Sequence, residues 1–147
     1  MDLDKSIIGL SGKTFIFEVE KRHLRKFAEA IGDANPLYFD EEYASNTPYG
    51  GLVAPPTFPM AVGANGGDLP LELDTRRMLH GEQEFIYYYP IRPGDRLECQ
   101  MKVADLYERE GKSGSMQFLV LDTEMKNEEG KTAAISRTNI IYRKLTT

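Results

Sequence analysis

Four long extended segments in the C-terminal half constrain this chain more than any other feature of it. They run Met78–Pro90 (MLHGEQEFIYYYP), Asp95–Glu110 (DRLECQMKVADLYERE), Ser113–Asn127 (SGSMQFLVLDTEMKN) and Lys131–Leu145 (KTAAISRTNIIYRKL). The separators are RPGD, GKSG and NEEG, all of them turn chemistry. The last two are short, so the segments they join pair antiparallel. Several of these strands exceed the usual length, which requires a sheet that bends strongly around something.

The N-terminal half supplies what the sheet bends around. Thr14–Glu20 (TFIFEVE) alternates, with Phe15, Phe17 and Val19 on one side. From Lys21 the period changes: Leu24, Phe27, Ala28 and Ile31 form one face of a helix that Gly32 ends. Asp33 then opens a loop in which Pro36 keeps Asn35 out of the helical region. Asp40 caps a short helix, EEYASN, with Tyr43 and Ala44 expected to face inward. The loop TPYGGLVAPP leads to PTFPMAVGANGG, read as a buried, mostly apolar helix starting near Pro56 and closed by Gly66–Gly67. Helices first and strands after make an α+β chain, one antiparallel sheet with a helix on one face. No repeat or linker interrupts it, so residues 1–147 read as one domain.

Composition narrows the function. The net charge is −5 and no dense run of Lys or Arg occurs, which argues against nucleic-acid binding. Cys99 is the only cysteine, so neither an internal disulfide nor a cysteine zinc cage is possible. The start, MDLDKSIIGLSGK, is no secretory signal, and no apolar run is long enough to span a membrane. A cytoplasmic location is expected, with no metal or redox cofactor.

The segment FAEAIGDANPLYFDEEYA carries the chemistry. It resembles the active-site loop of the MaoC-like (R)-specific enoyl-CoA hydratases and 3-hydroxyacyl dehydratases, whose pattern is Gly-Asp-x-Asn-Pro-Leu-His followed by a small helix. Gly32, Asp33, Asn35, Pro36, Leu37 and Ala44 match it. LHGEQEFIYYYPIRPGDRLE and GGLVAPPTFPMAV are similar to the strand-and-turn and the central-helix entry of the N-terminal, FAS1-like dehydratase half of the same superfamily. The likeness covers Thr14 to Arg143. It implies the hot-dog fold, a sheet wrapped around a central apolar helix. It also implies an acyl thioester of coenzyme A or acyl carrier protein as substrate.

In that family a carboxylate and an imidazole hold and deprotonate the water that attacks C3 of a trans-2-enoyl thioester. Amides at the start of the central helix hold the thioester oxygen as it gains charge. By resemblance Asp33 is the carboxylate, and the imidazole position is occupied by Tyr38. A phenol, with an ordinary pKa of about 10 against about 6.5 for imidazole, keeps its proton near neutrality and makes a poor base. The resemblance further places Asn35, Pro55, Pro56, Thr57, Phe58 and His80 at the substrate. Read without it, Asp33 is a turn residue, Tyr38 a packing residue, Phe58 core, and His80, Glu82 and Glu84 one polar strand face. His23 reads as solvated surface, and Tyr87–Tyr89 as strand surface.

Members of this N-terminal type often lack the complete Asp/His pair and bind the acyl chain while a second hot-dog subunit does the chemistry. The expectation is therefore a homodimer or heterodimer with a MaoC-like partner. Two other classes stay open: a hot-dog acyl-CoA thioesterase, and a non-enzymatic acyl-binding or assembly subunit.

Overall fold

The computed structural model describes residues 2–64, 66, 68–112 and 114–144. All four long segments are strands, preceded by a short one: β1 Phe15–Glu18, β2 Met78–Tyr87, β3 Arg96–Gly111, β4 Gly114–Lys126 and β5 Thr132–Tyr142. The expected strand ends Ser113 and Leu145 lie outside the described residues. The strands form one antiparallel sheet in the order β1-β3-β4-β5-β2. GKSG and NEEG close the two expected hairpins, β3–β4 and β4–β5. After RPGD the chain crosses the sheet, so β2 pairs with the last strand, β5.

The register of β2 corrects one expectation. His80 lies opposite Ile140 but Glu82 lies opposite Asn139, with a bulge between them. Adjacent residues of β5 point to opposite faces, so His80 and Glu82 do too. Only Glu82 and Glu84 share the outer face, where Glu84 comes within 3.7 Å of Arg137. Gly81 makes the bulge possible: a Cβ there would meet Ile141 Cγ1 at 3.0 Å.

Helix α1 (Lys21–Ile31) packs Leu24 and Ala28 fully out of water. It ends where Gly32, at φ +71°, reverses the chain, and the Asp33 N–H closes on the Ala28 carbonyl at 2.9 Å. Ile31, expected on the buried face, is exposed because the chain turns away before anything covers it. His23 is no solvated bystander. Its Nδ1 accepts the Glu20 N–H at 3.0 Å and its ring lies 5.0 Å from that of Phe17.

Helix α2 (Glu41–Ser45) is capped by Asp40, whose carboxylate accepts the Tyr43 N–H at 3.1 Å. Ala44 is buried, but Tyr43 faces solvent rather than the core. Neighbouring residues on a helix stand about 100° apart, so one turn packed on a core buries one of the two.

Helix α3 is shorter than expected, only Pro59–Gly63. Pro59 opens α3 rather than continuing a helix begun at Pro56: it lacks the N–H that such a helix would need there, while Phe58 before it keeps helical backbone at φ −53° and ψ −32°. Ala64 caps the end, and Gly67 lies outside the described residues. Phe58, Pro59 and Val62 are buried nonetheless. Phe58 meets Phe17 and Phe27 edge-on, at 6.1 and 5.7 Å, above Leu97, Cys99, Met125 and Ala134 of the sheet. The far half of the same sheet face, Val103, Leu106, Leu119, Leu121 and Ile140, is covered by Leu3, Ile7 and Leu10 together with Leu69 and Leu73. A sheet curved around a buried apolar helix is the hot-dog architecture, and the α+β class holds. Among the described residues no helix is long and apolar enough to cross a membrane.

Candidate active site

The loop after α1 is shaped by a succession of side-chain caps. Asp33 Oδ1 accepts the Asn35 N–H at 3.0 Å, and Asn35 Oδ1 accepts the Leu37 N–H at 3.0 Å. Pro36–Tyr38 then form a single 3-10 turn, closed by the Tyr38 N–H on the Asn35 carbonyl at 3.1 Å. This local chemistry swings the Tyr38 side chain inward, against Ala28 and Val53, leaving it 7% exposed.

Tyr38 lines a cleft of about 480 Å³, together with Asn35, Leu37, Tyr49, Val53 and Pro56. The opposite wall is Tyr87, Tyr88 and Tyr89 with Pro90 and Ile91, at the end of β2 and just past it. Tyr87 spans the cleft, its hydroxyl donating to the Pro56 carbonyl at 2.7 Å. Burial raises the Tyr38 pKa above its ordinary 10.0, and the charge and hydrogen bonding of the adjacent Asp33 carboxylate raise it further. Burial, and then the nearby Tyr38, push Tyr87 up in the same way. Both phenols are therefore protonated at neutral pH, and neither is a base there.

The expected site residues divide. Asn35, Tyr38 and Pro56 line the cleft, and Asp33 stands against Tyr38. Pro55 and Phe58 are buried in the interior, Thr57 is exposed, and His80 is an exposed residue of β2 outside the lining. The start of α3 is occupied with its own turn: the Phe58, Met60 and Ala61 amides bond the carbonyls of Pro55, Thr57 and Phe58. Sequence reasoning missed Tyr49 and the place of Tyr87–Tyr89 on a cleft wall, although all three are exposed, as expected of strand surface. Three tyrosines in succession followed by proline, where strict alternation fails, was the available signal.

The chain belongs to the FAS1-like, dehydratase domain region family, whose model matches residues 6–136. It is 36% identical over 149 residues to a UPF0336 protein of Saccharopolyspora erythraea, covering 97% of this chain and 93% of that protein. The same identity holds over 151 residues for a UPF0336 protein of Streptomyces avermitilis, with 97% of each covered. The fold is similar to that of the HadBC 3R-hydroxyacyl-ACP dehydratase complex of Mycobacterium tuberculosis. That match has a TM-score of 0.75 at 24% identity and covers 95% of this chain and 99% of that one. A MaoC-like dehydratase of Rhodospirillum rubrum superposes with a TM-score of 0.70 at 23% identity, covering 95% and 94%.

Proposed function

We propose that this chain is the acyl-thioester-binding subunit of a hydratase/dehydratase pair, acting on trans-2-enoyl or 3-hydroxyacyl groups carried by coenzyme A or acyl carrier protein. The observation that carries the reading is Tyr38. It occupies the histidine position of the loop, it is buried in the cleft beside Asp33, and neither His23 nor His80 lines that cleft. Hydration adds water oxygen at C3 and a proton at C2, and a base must take the other water proton. Both phenols hold their protons and no imidazole lines the cleft, so Asp33 stands without the histidine of the pair, and the reading gives that role to a second hot-dog subunit. The HadBC and ChsH1–ChsH2 complexes of Mycobacterium tuberculosis are neighbours built from two kinds of chain. Half-exposed Tyr49, Tyr88 and Tyr89 at the cleft mouth suit a surface that another chain covers.

The test is loss of enoyl absorbance when the purified chain meets crotonyl-CoA and a longer enoyl-CoA. The expected result is no turnover alone, turnover on adding a MaoC-like partner, and a measurable gain in Tyr38→His. Fast hydration by the chain alone, abolished in Asp33→Ala, would sink the reading. A thioesterase would release free thiol, read with a thiol dye, and that reading lacks an acid on α3, whose sequence is PMAVG.

A further inference from the structure

The outer face of the sheet carries an apolar row. The helices and the N-terminal segment pack on the opposite, inner face. On the outer face the register sets Tyr107 beside Phe118, Phe118 beside Ile141 and Ile141 beside Leu79, one side chain from each of four adjacent strands. Met116 and Val120 flank Phe118 along β4. The Tyr107 and Phe118 rings stack 5.1 Å apart and 3° from parallel. Leu79 is 45% exposed, and the rest are half-buried. Asn139, beside Val120, donates its side-chain N–H to the Tyr107 hydroxyl at 2.9 Å. Its buried Oδ1 has no hydrogen-bond partner among the described residues. An uncovered apolar row next to an unsatisfied buried acceptor marks a surface that another molecule completes.

We propose that this face binds the same face of a second copy of the chain, about a two-fold axis that runs along the row, across the strands. Charge selects that arrangement. Arg109 and Asp105 stand two residues to either side of Tyr107 on the same face of β3. Neither forms an ion pair among the described residues. Arg109 lies over the Tyr107 ring at 4.8 Å and donates to the Glu108 carbonyl at 3.2 Å, and Asp105 Oδ1 accepts the Leu106 N–H at 2.8 Å. Four residues of strand, about 13 Å, keep the two apart within one chain. The two-fold axis turns the second copy end for end. Arg109 of each copy then faces Asp105 of the other, Met116 faces Val120, and Tyr107, Phe118, Ile141 and Leu79 meet their own counterparts, as sheets packed face to face do. An axis along the strands fails, because Asp105, Val120, Asn139 and Glu82 form one row and Asp105 would lie over Glu82, acid on acid. Asp105, Glu82 and Glu84 equally disfavour an anionic lipid surface. The row shares no residue with the cleft, so both surfaces can be occupied at once, joining two hydratase-type pairs back to back.

Sedimentation equilibrium of the purified chain tests this. The expected result is the mass of two chains alone and of four chains once a MaoC-like partner is bound. Leu79→Lys should weaken self-association tenfold or more, because it buries a charge in the row. Arg109→Asp should do the same by setting acid against acid at two places. Combining Arg109→Asp with Asp105→Arg should restore association, since the two charges meet only between copies. All three positions are exposed, and an unchanged circular dichroism spectrum separates lost assembly from lost fold. A single-chain mass at every concentration, association untouched by Leu79→Lys, or association not restored by the double exchange overturns the proposal. So does loss of the MaoC-like partner in Leu79→Lys with self-association intact, which would give the face to that partner.

Discussion

The core around Phe58 and the cleft wall around Tyr38 share one stretch of chain and are built by opposite rules. Between residues 49 and 58, Leu52, Pro55 and Phe58 turn into the interior while Tyr49, Val53 and Pro56 line the cleft. The core side is dry. Phe58 is 1% exposed and meets two other aromatic rings edge-on. The cleft side is aromatic too, but its rings carry hydroxyls and stand partly in water, Tyr88 at 61% exposure. Apolar rings sealed from water stabilise a single chain. Amphipathic rings left at a surface contribute little until something covers them. Stability and recognition are thus assigned to different residues of one loop, and Tyr38, buried yet cleft-facing, is where they meet.

Phe58→Ala tests the core side and carries the largest expected effect. Removing a fully buried phenylalanine from packed neighbours should cost about 3–5 kcal/mol, seen as a lower midpoint in denaturant unfolding. A loss below about 1 kcal/mol would break the contrast, because the interior would then be loosely packed.

Alkaline pH separates the two regions next. Burial pushes the core thiol of Cys99 from 9.0 up to about 12, with a smaller contribution from Glu98. A raised acid holds its proton more tightly in the folded state. Its stabilisation is complete below pH 9 and is lost as pH rises from 9 toward 12. Tyr38 and Tyr87 are also raised, from 10.0, so their losses begin one unit later. Stability measured against pH should therefore start to fall near pH 9 and steepen above 10. Cys99→Ala should delay the onset to about pH 10, at a cost of about 1 kcal/mol at neutrality. Tyr38→Phe should leave the onset alone and soften only the upper part. An onset that stays at pH 9 in Cys99→Ala would mean the core thiol is not what titrates first.

How legible each region was in the sequence follows the same division. The long strands declared themselves because GKSG and NEEG are local turn signals; β3 and β4 came out within a residue of the expected ends, while β5 stops at Tyr142, three residues before the expected Leu145. The loop from Asp33 to Asp40 was readable because each Asx cap acts within two or three residues. What stayed hidden is non-local. The cleft gathers residues 35–38, 49–56 and 87–91, joined by the Val53 N–H on the Leu37 carbonyl, the Ala54 N–H on the Ile91 carbonyl and the Tyr87 hydroxyl on the Pro56 carbonyl, and no spacing in the chain encodes that. The bulge between His80 and Glu82 inverted the face of His80 by one unpaired residue. The length of α3 was a further miss, beside the exposure of Ile31 and Tyr43 and the packing of His23: Pro59 decided it, yet apolar composition suggested a longer helix.

Tyr87→Phe and Tyr88→Ser carry the smallest effects on folding and sharpen the comparison most. Tyr87→Phe keeps the ring and loses only the bond to the Pro56 carbonyl, which should cost about 1 kcal/mol or less. Tyr88 holds to the sheet through its backbone, its N–H donating to the Ala133 carbonyl at 2.8 Å, a bond that serine keeps. Its side chain stands in water, so Tyr88→Ser should shift the unfolding midpoint by no more than about 0.5 kcal/mol. The same change should weaken assembly with a hot-dog partner by tenfold or more, because a large aromatic anchor is lost from the cleft mouth. Sedimentation of wild-type and variant chains with that partner reads the difference. Unchanged assembly together with unchanged stability would mean that the mouth stays open to solvent and that a partner must dock elsewhere. A large stability loss would instead place Tyr88 within the folding unit and dissolve the division between the two sides of the loop.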